Sequence, residues 1–167
     1  DKKIVRQLEQ LGRVLLKFYQ AANTIYNWSA EGRLPAWPSA WLDRGKPQPI
    51  INLQRERAFR AELPRVIRPD ILLTDDGLRI TELDSVPGGI GLTAWLNQAY
   101  AGAGAEVIGG ATGMLEGFAG IFGDAANVHL VVSDESATYK PEMKWLAEQI
   151  DPDRFSVHGQ GFTDFSD

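Results

Sequence analysis

Two runs rich in apolar and β-branched residues, 66–74 and 78–84, are separated by only Asp75, Asp76 and Gly77. So short a break predicts an antiparallel hairpin with a three-residue loop and Gly77 in the left-handed conformation that glycine tolerates. Pairing Thr74 with Leu78 puts Asp70 opposite Glu82 and Arg68 opposite Asp84. Side chains alternate across a strand, so Glu82 and Asp84 share a face, together with Leu78 and Ile80. Facing carboxylates repel and weaken a sheet unless a cation lies between them. Arg68 supplies part of that charge, and a hard divalent ion such as Mg2+, which takes oxygen ligands, would supply the rest. A one-residue slip or a bulge would disturb these facing pairs.

Gly88, Gly89 and Gly91 follow, leading into the apolar, helix-like stretch 92–100. A glycine turn ending at a helix N-terminus presents backbone N–H groups that attract anions. The spacing matches neither the Walker loop nor the dinucleotide fingerprint, so a phosphate cradle and a chain reversal where only glycine fits both stand.

Toward the N-terminus, Ile4, Leu8, Leu11, Leu15, Phe18, Ala22 and Ile25 recur at three- and four-residue steps and predict a helix over 3–29, its aromatics in the core. Glycines and prolines from Gly32 to Pro49 predict an ordered loop pinned by Trp37 and Trp41, with a short helix over 54–62 before Pro64. The Gly/Ala-rich stretch 101–123 reads as a small connecting strand and a helix. Beyond it comes a buried-type strand over 128–132 and a helix with Pro141 in its first turn and Met143, Leu146, Ala147 and Ile150 inward. A further strand over 155–158 would start a parallel, Rossmann-like sheet. Ligands of such sheets gather beyond the strand C-termini, which points to Ser133, Glu135 or Tyr139; a solvated loop capping the helix fits the same residues. The fold class expected is α/β of the α+β kind: a long N-terminal helix, a hairpin carrying the acidic site, then a β-α unit. The expected segments are 1–124 and 125–167.

Composition narrows the chemistry. The chain has 167 residues, 44% hydrophobic, with a net charge of −5 and no basic run, which disfavours nucleic acid or an anionic membrane as partner. Cysteine is absent, so disulfides, thiolate nucleophiles and Cys-type zinc sites are excluded. His129 and His158 are too few for a histidine metal cluster and lack triad spacing, so metal binding is expected through oxygen. The charged start is not a signal peptide, and no apolar run approaches the roughly 20 residues that span a bilayer; a cytoplasmic protein is expected. Residue 1 is not Met, which suggests a piece of a longer chain.

Arg68-Pro69-Asp70, with Glu82-Leu83-Asp84 beginning twelve positions after the aspartate, resembles the phosphate-and-metal segment of glutathionylspermidine synthase and its relatives, circularly permuted ATP-grasp ligases. In that family an Arg-x-Asp on one strand and a Glu-x-Asn on the next hold the phosphates and magnesium ions of ATP. The resemblance implies that Arg68 contacts phosphate in a catalytic role, that Asp70, Glu82 and Asp84 ligate Mg2+, and that Gly88, Gly89 and Gly91 adjoin the nucleotide. Asp84 departs from the family's asparagine and adds a negative charge. Residues 65–97 carry the likeness; 125–150 more weakly resemble a Rossmann-like, pre-ATP-grasp unit on the substrate side. The implied reaction is ATP-dependent joining of a small carboxylate or peptide to an amine through an acylphosphate. The adenine cleft, further lysines and lid of such enzymes would lie elsewhere in a longer chain, leaving these residues inactive alone. A non-catalytic metal- or ligand-binding α/β domain is the alternative. An ordinary Rossmann nucleotide binder is disfavoured, because no glycine fingerprint follows 128–132.

Overall fold

A computed structural model describes residues 2–84 and 88–165. The chain is mixed α/β and forms two compact units, 1–67 and 68–167; the boundary expected near residue 124 lies inside the second. Among the described residues no helix is long and apolar enough to cross a membrane.

In the first unit, α1 (Lys2–Ala30) follows the three- and four-residue spacing of its apolar side chains. Leu15 and Tyr26 are buried, but Phe18 is 55% exposed and Trp28 39%, so the aromatics of this helix are not uniformly core. The stretch expected as loop holds two helices, α2 (Trp37–Asp43) and α3 (Gln48–Arg55). Pro38 and Pro49 sit in their first turns, where a missing N–H is no loss, so these prolines start helices rather than break them. The helix expected over 54–62 ends instead at Arg55.

Trp37 and Trp41 do not pin this region; they are 66% and 63% exposed. Polar contacts do the pinning. The buried Ser29 hydroxyl donates to the Pro35 carbonyl at 2.7 Å and accepts from the Ser39 N–H at 3.1 Å. Asp43 accepts from the Tyr26 hydroxyl at 2.9 Å and from Gln54 at 2.7 Å, and pairs with Arg55. The Arg55 guanidinium is held above its ordinary pKa, first by its hydrogen bond to the Tyr26 oxygen and further by the charge of Asp43, against the opposing effect of burial.

The second unit begins with the hairpin β1 (Arg68–Thr74) and β2 (Gly77–Asp84), followed by α4 (Ile90–Gly102) and α5 (Gly113–Gly120). Turns replace the small strand expected before α5. Then come β3 (Val128–Val132), a 3-10 turn at Ala137–Tyr139, α6 (Lys140–Ile150) and β4 (Phe155–Gly159). Strands β3 and β4 pair in parallel, Val128 facing Phe155 and Val132 facing Gly159, as a crossover through α6 requires. Ala94, Leu115, Phe118, Val128, Val132, Met143, Leu146, Ala147 and Phe155 form the buried core where α4, α5 and α6 meet this sheet.

Candidate functional site

The hairpin differs from expectation at its tip and recovers at its base. Thr74 pairs with Gly77 across a two-residue turn, Asp75-Asp76, and Gly77 has a positive φ of 108°. Carried through, that register would put Thr81 opposite Asp70. A bulge at Thr81 prevents this: Ile71 faces Ile80, while Asp70 faces Glu82 and Arg68 faces Asp84. The facing pairs therefore match those expected, by a different route.

The bulge also sorts the faces. Facing residues share a side and consecutive residues alternate, so Arg68, Asp70, Glu82 and Asp84 lie on one face with Leu72 and Arg79. Leu78 and Ile80, expected beside the carboxylates, lie on the other face with Ile71, Leu73 and Leu83. One extra residue reverses the alternation and parts the charged side chains from the aliphatic ones.

Arg68 sits at the base of the polar face. Its Nη2 donates to Asp84 Oδ2 at 2.8 Å, and its Nη1 donates to the Gly88 carbonyl at 2.6 Å, joining the hairpin to the glycine turn. Asp70 and Glu82 are exposed and carry no ion pair among the described residues. Among those residues no group of three or more His, Asp or Glu side chains is gathered at metal-ligand spacing. The opposed Asp70 and Glu82 still offer what Mg2+ ordinarily takes from protein, one or two carboxylates, its other ligands being water and phosphate.

Each glycine of the turn has its own cause. A Cβ on Gly88 would stand 2.8 Å from the Tyr139 ring, and one on Gly91 would stand 2.6 Å from the Glu142 carbonyl oxygen. Gly89, the N-cap of α4, has a φ of 83°. The anion position at this helix start holds a side chain of the protein itself. Glu142 accepts from the Gly89 N–H at 2.7 Å and from the Leu92 N–H at 2.9 Å, countering the positive end of α4.

Along β3 and past its C-terminal end, a cavity of about 300 Å³ is lined by residues 129–133, Ser136 and Tyr139 together with Gly88, Phe118 and Met143. Ser133 and Tyr139 thus line the expected place, whereas Glu135 is exposed and outside the lining. Sequence reasoning missed Glu142, whose position in the first turn of α6 marks it only as an acid at its own helix start. It also set aside the two histidines, although strand alternation puts both on one side of the parallel sheet.

Compared with protein-family models, curated proteins and solved structures, the chain matches none.

Proposed function

We propose that the polar face of the hairpin holds Mg2+ and the phosphates of ATP, as one wall of the site of an ATP-grasp carboxylate–amine ligase of the glutathionylspermidine synthase kind. The observation that carries this reading is the square of Arg68, Asp84, Asp70 and Glu82, secured by a bulge that spends one residue to keep the two carboxylates opposed. Like charges directly opposed weaken a sheet, and a cation between them removes the cost.

Asp70 and Glu82 supply oxygen ligands, while Asp84 holds Arg68 in place. Arg68 offers its guanidinium to phosphate, oriented by Asp84 and the Gly88 carbonyl. The N–H groups of Gly89 and Leu92 lie just past that carbonyl, and a phosphate bound there takes the place of the Glu142 carboxylate. Bound Mg-ATP supplies charge neutralisation and the phosphoryl group that activates a carboxylate for attack by an amine. The β3–α6–β4 unit is the Rossmann-like, pre-ATP-grasp part, and its cavity at Ser133 and Tyr139 receives the small acid or peptide. Such an enzyme works among cytoplasmic ATP and Mg2+.

The test is calorimetric titration with a non-hydrolysable ATP analogue, with and without Mg2+. Binding should require Mg2+ and weaken at least tenfold in Glu82→Gln and in Asp70→Asn. Equal affinity in the folded variants, or binding indifferent to Mg2+, overturns the reading. A second reading, a non-catalytic cation-binding domain, is favoured by Glu142 already filling the helix start. Mn2+ bound at Asp70 and Glu82 with no nucleotide binding would select it.

A further inference from the structure

We infer that the outward side of the β3–β4 sheet is a site for a transition-metal dication of the Zn2+ class, held by His129, Ser156 and His158, independent of the hairpin. Register sets the three side by side: His129 faces Ser156, Val131 faces His158, and alternation turns all four away from the core that takes Val128, Val132 and Phe155. His129 Nδ1 lies 3.1 Å from His158 Nε2 and 3.1 Å from Ser156 Oγ, and Ser156 Oγ lies 2.8 Å from His158 Nε2.

Three donor atoms at these separations form one face of a coordination polyhedron. For metal–nitrogen bonds of about 2.0–2.1 Å, adjacent ligand atoms are about 3.0 Å apart in octahedral and about 3.4 Å apart in tetrahedral geometry. One ion could therefore reach all three with little movement of either strand. Two imidazole nitrogens and a hydroxyl, without a carboxylate, suit Zn2+, Ni2+ or Cu2+ rather than Mg2+ or Ca2+. Phe162 stacks on His158 with ring centres 3.6 Å apart, and Phe165 meets His129 edge-on at 5.9 Å, shielding one side of the cluster and fixing the rings.

His129 Nε2 is buried without a hydrogen-bond partner. Ligation through Nδ1 puts the ring proton on that nitrogen, where no acceptor waits. Metal-bound histidines usually have one, and its loss weakens binding roughly ten- to a hundredfold, so this site binds more weakly than one whose histidines are both supported.

The experiment is Zn2+ titration by calorimetry at neutral pH in the Asp70→Asn/Glu82→Gln protein, which removes the hairpin carboxylates. Co2+ absorption and the histidine ring signals in NMR provide site-specific readouts. The expected result is one Zn2+ per chain, with both histidine ring signals shifted and at least tenfold weaker binding in His158→Ala. Ser156→Ala serves as a milder second variant, expected to weaken binding severalfold, should His158→Ala fail to fold by circular dichroism. Absence of binding by the folded parent, or Zn2+ that leaves both ring signals unmoved, overturns the inference and leaves the triangle as a hydrogen-bonded cluster.

Discussion

Glu142 is the residue through which α6 and the start of α4 depend on each other. Its carboxylate accepts two backbone N–H groups that α4 cannot satisfy internally. Glu142→Ala removes both bonds and the countercharge, and should cost about 1–2 kcal/mol, read from denaturant midpoints at unchanged slope. Gly91→Ala tests the neighbouring contact. Its methyl would meet the Glu142 carbonyl oxygen, and forcing the two helices apart should cost about 1–3 kcal/mol. That glycine was obligatory in this turn was legible in the order Gly-Gly-Ile-Gly. The identity of what crowds it was not, because Tyr139 and Glu142 lie some fifty residues further along and only the folded chain brings them there.

At the level of elements, the hairpin shows how a correct pairing can be reached from an incorrect loop. The base pairs Arg68–Asp84 and Asp70–Glu82 follow from the spacing of the runs, but periodicity has no signature for a bulge, so the faces of Leu78 and Ile80 were misassigned. Deleting Thr81 should regularise the ladder without moving any of the four charged side chains to the other face. Metal affinity at the hairpin, measured with Mn2+ by electron paramagnetic resonance, should then stay within about threefold. Deleting Leu83 instead turns Asp84 to the aliphatic side and removes the partner of Arg68, leaving that guanidinium free to compete for the two carboxylates, which should lower the affinity severalfold. The prolines carry a related lesson. Pro38, Pro49 and Pro141 all stand in first turns, and only Pro141 is legible there from the sequence, because an apolar helical pattern follows it at once. The helices that hold Pro38 and Pro49 are only 7 and 8 residues long, too short for such a pattern to show.

Taking the chain as a whole, each compact unit is held by interactions of its own kind. The core from Ala94 to Phe155 belongs entirely to 68–167, and α1 to α3 are tied by the Asp43 and Ser29 networks. A protein of residues 68–167 should therefore keep its helical circular dichroism and melt in one cooperative transition. The parallel pairing of β3 and β4 was legible because two short apolar runs flank one helical pattern. The division at residue 67 was not, since it depends on which distant segments meet. The two-stranded ribbon of β1 and β2 has a further consequence. Among the described residues neither of its edges has a hydrogen-bonded neighbour strand, and on the aliphatic side Leu73 is 77% and Ile80 43% exposed. Such a surface is adhesive: in concentrated solution, molecules should stick to one another here first, and Leu73→Lys should raise the concentration at which turbidity sets in.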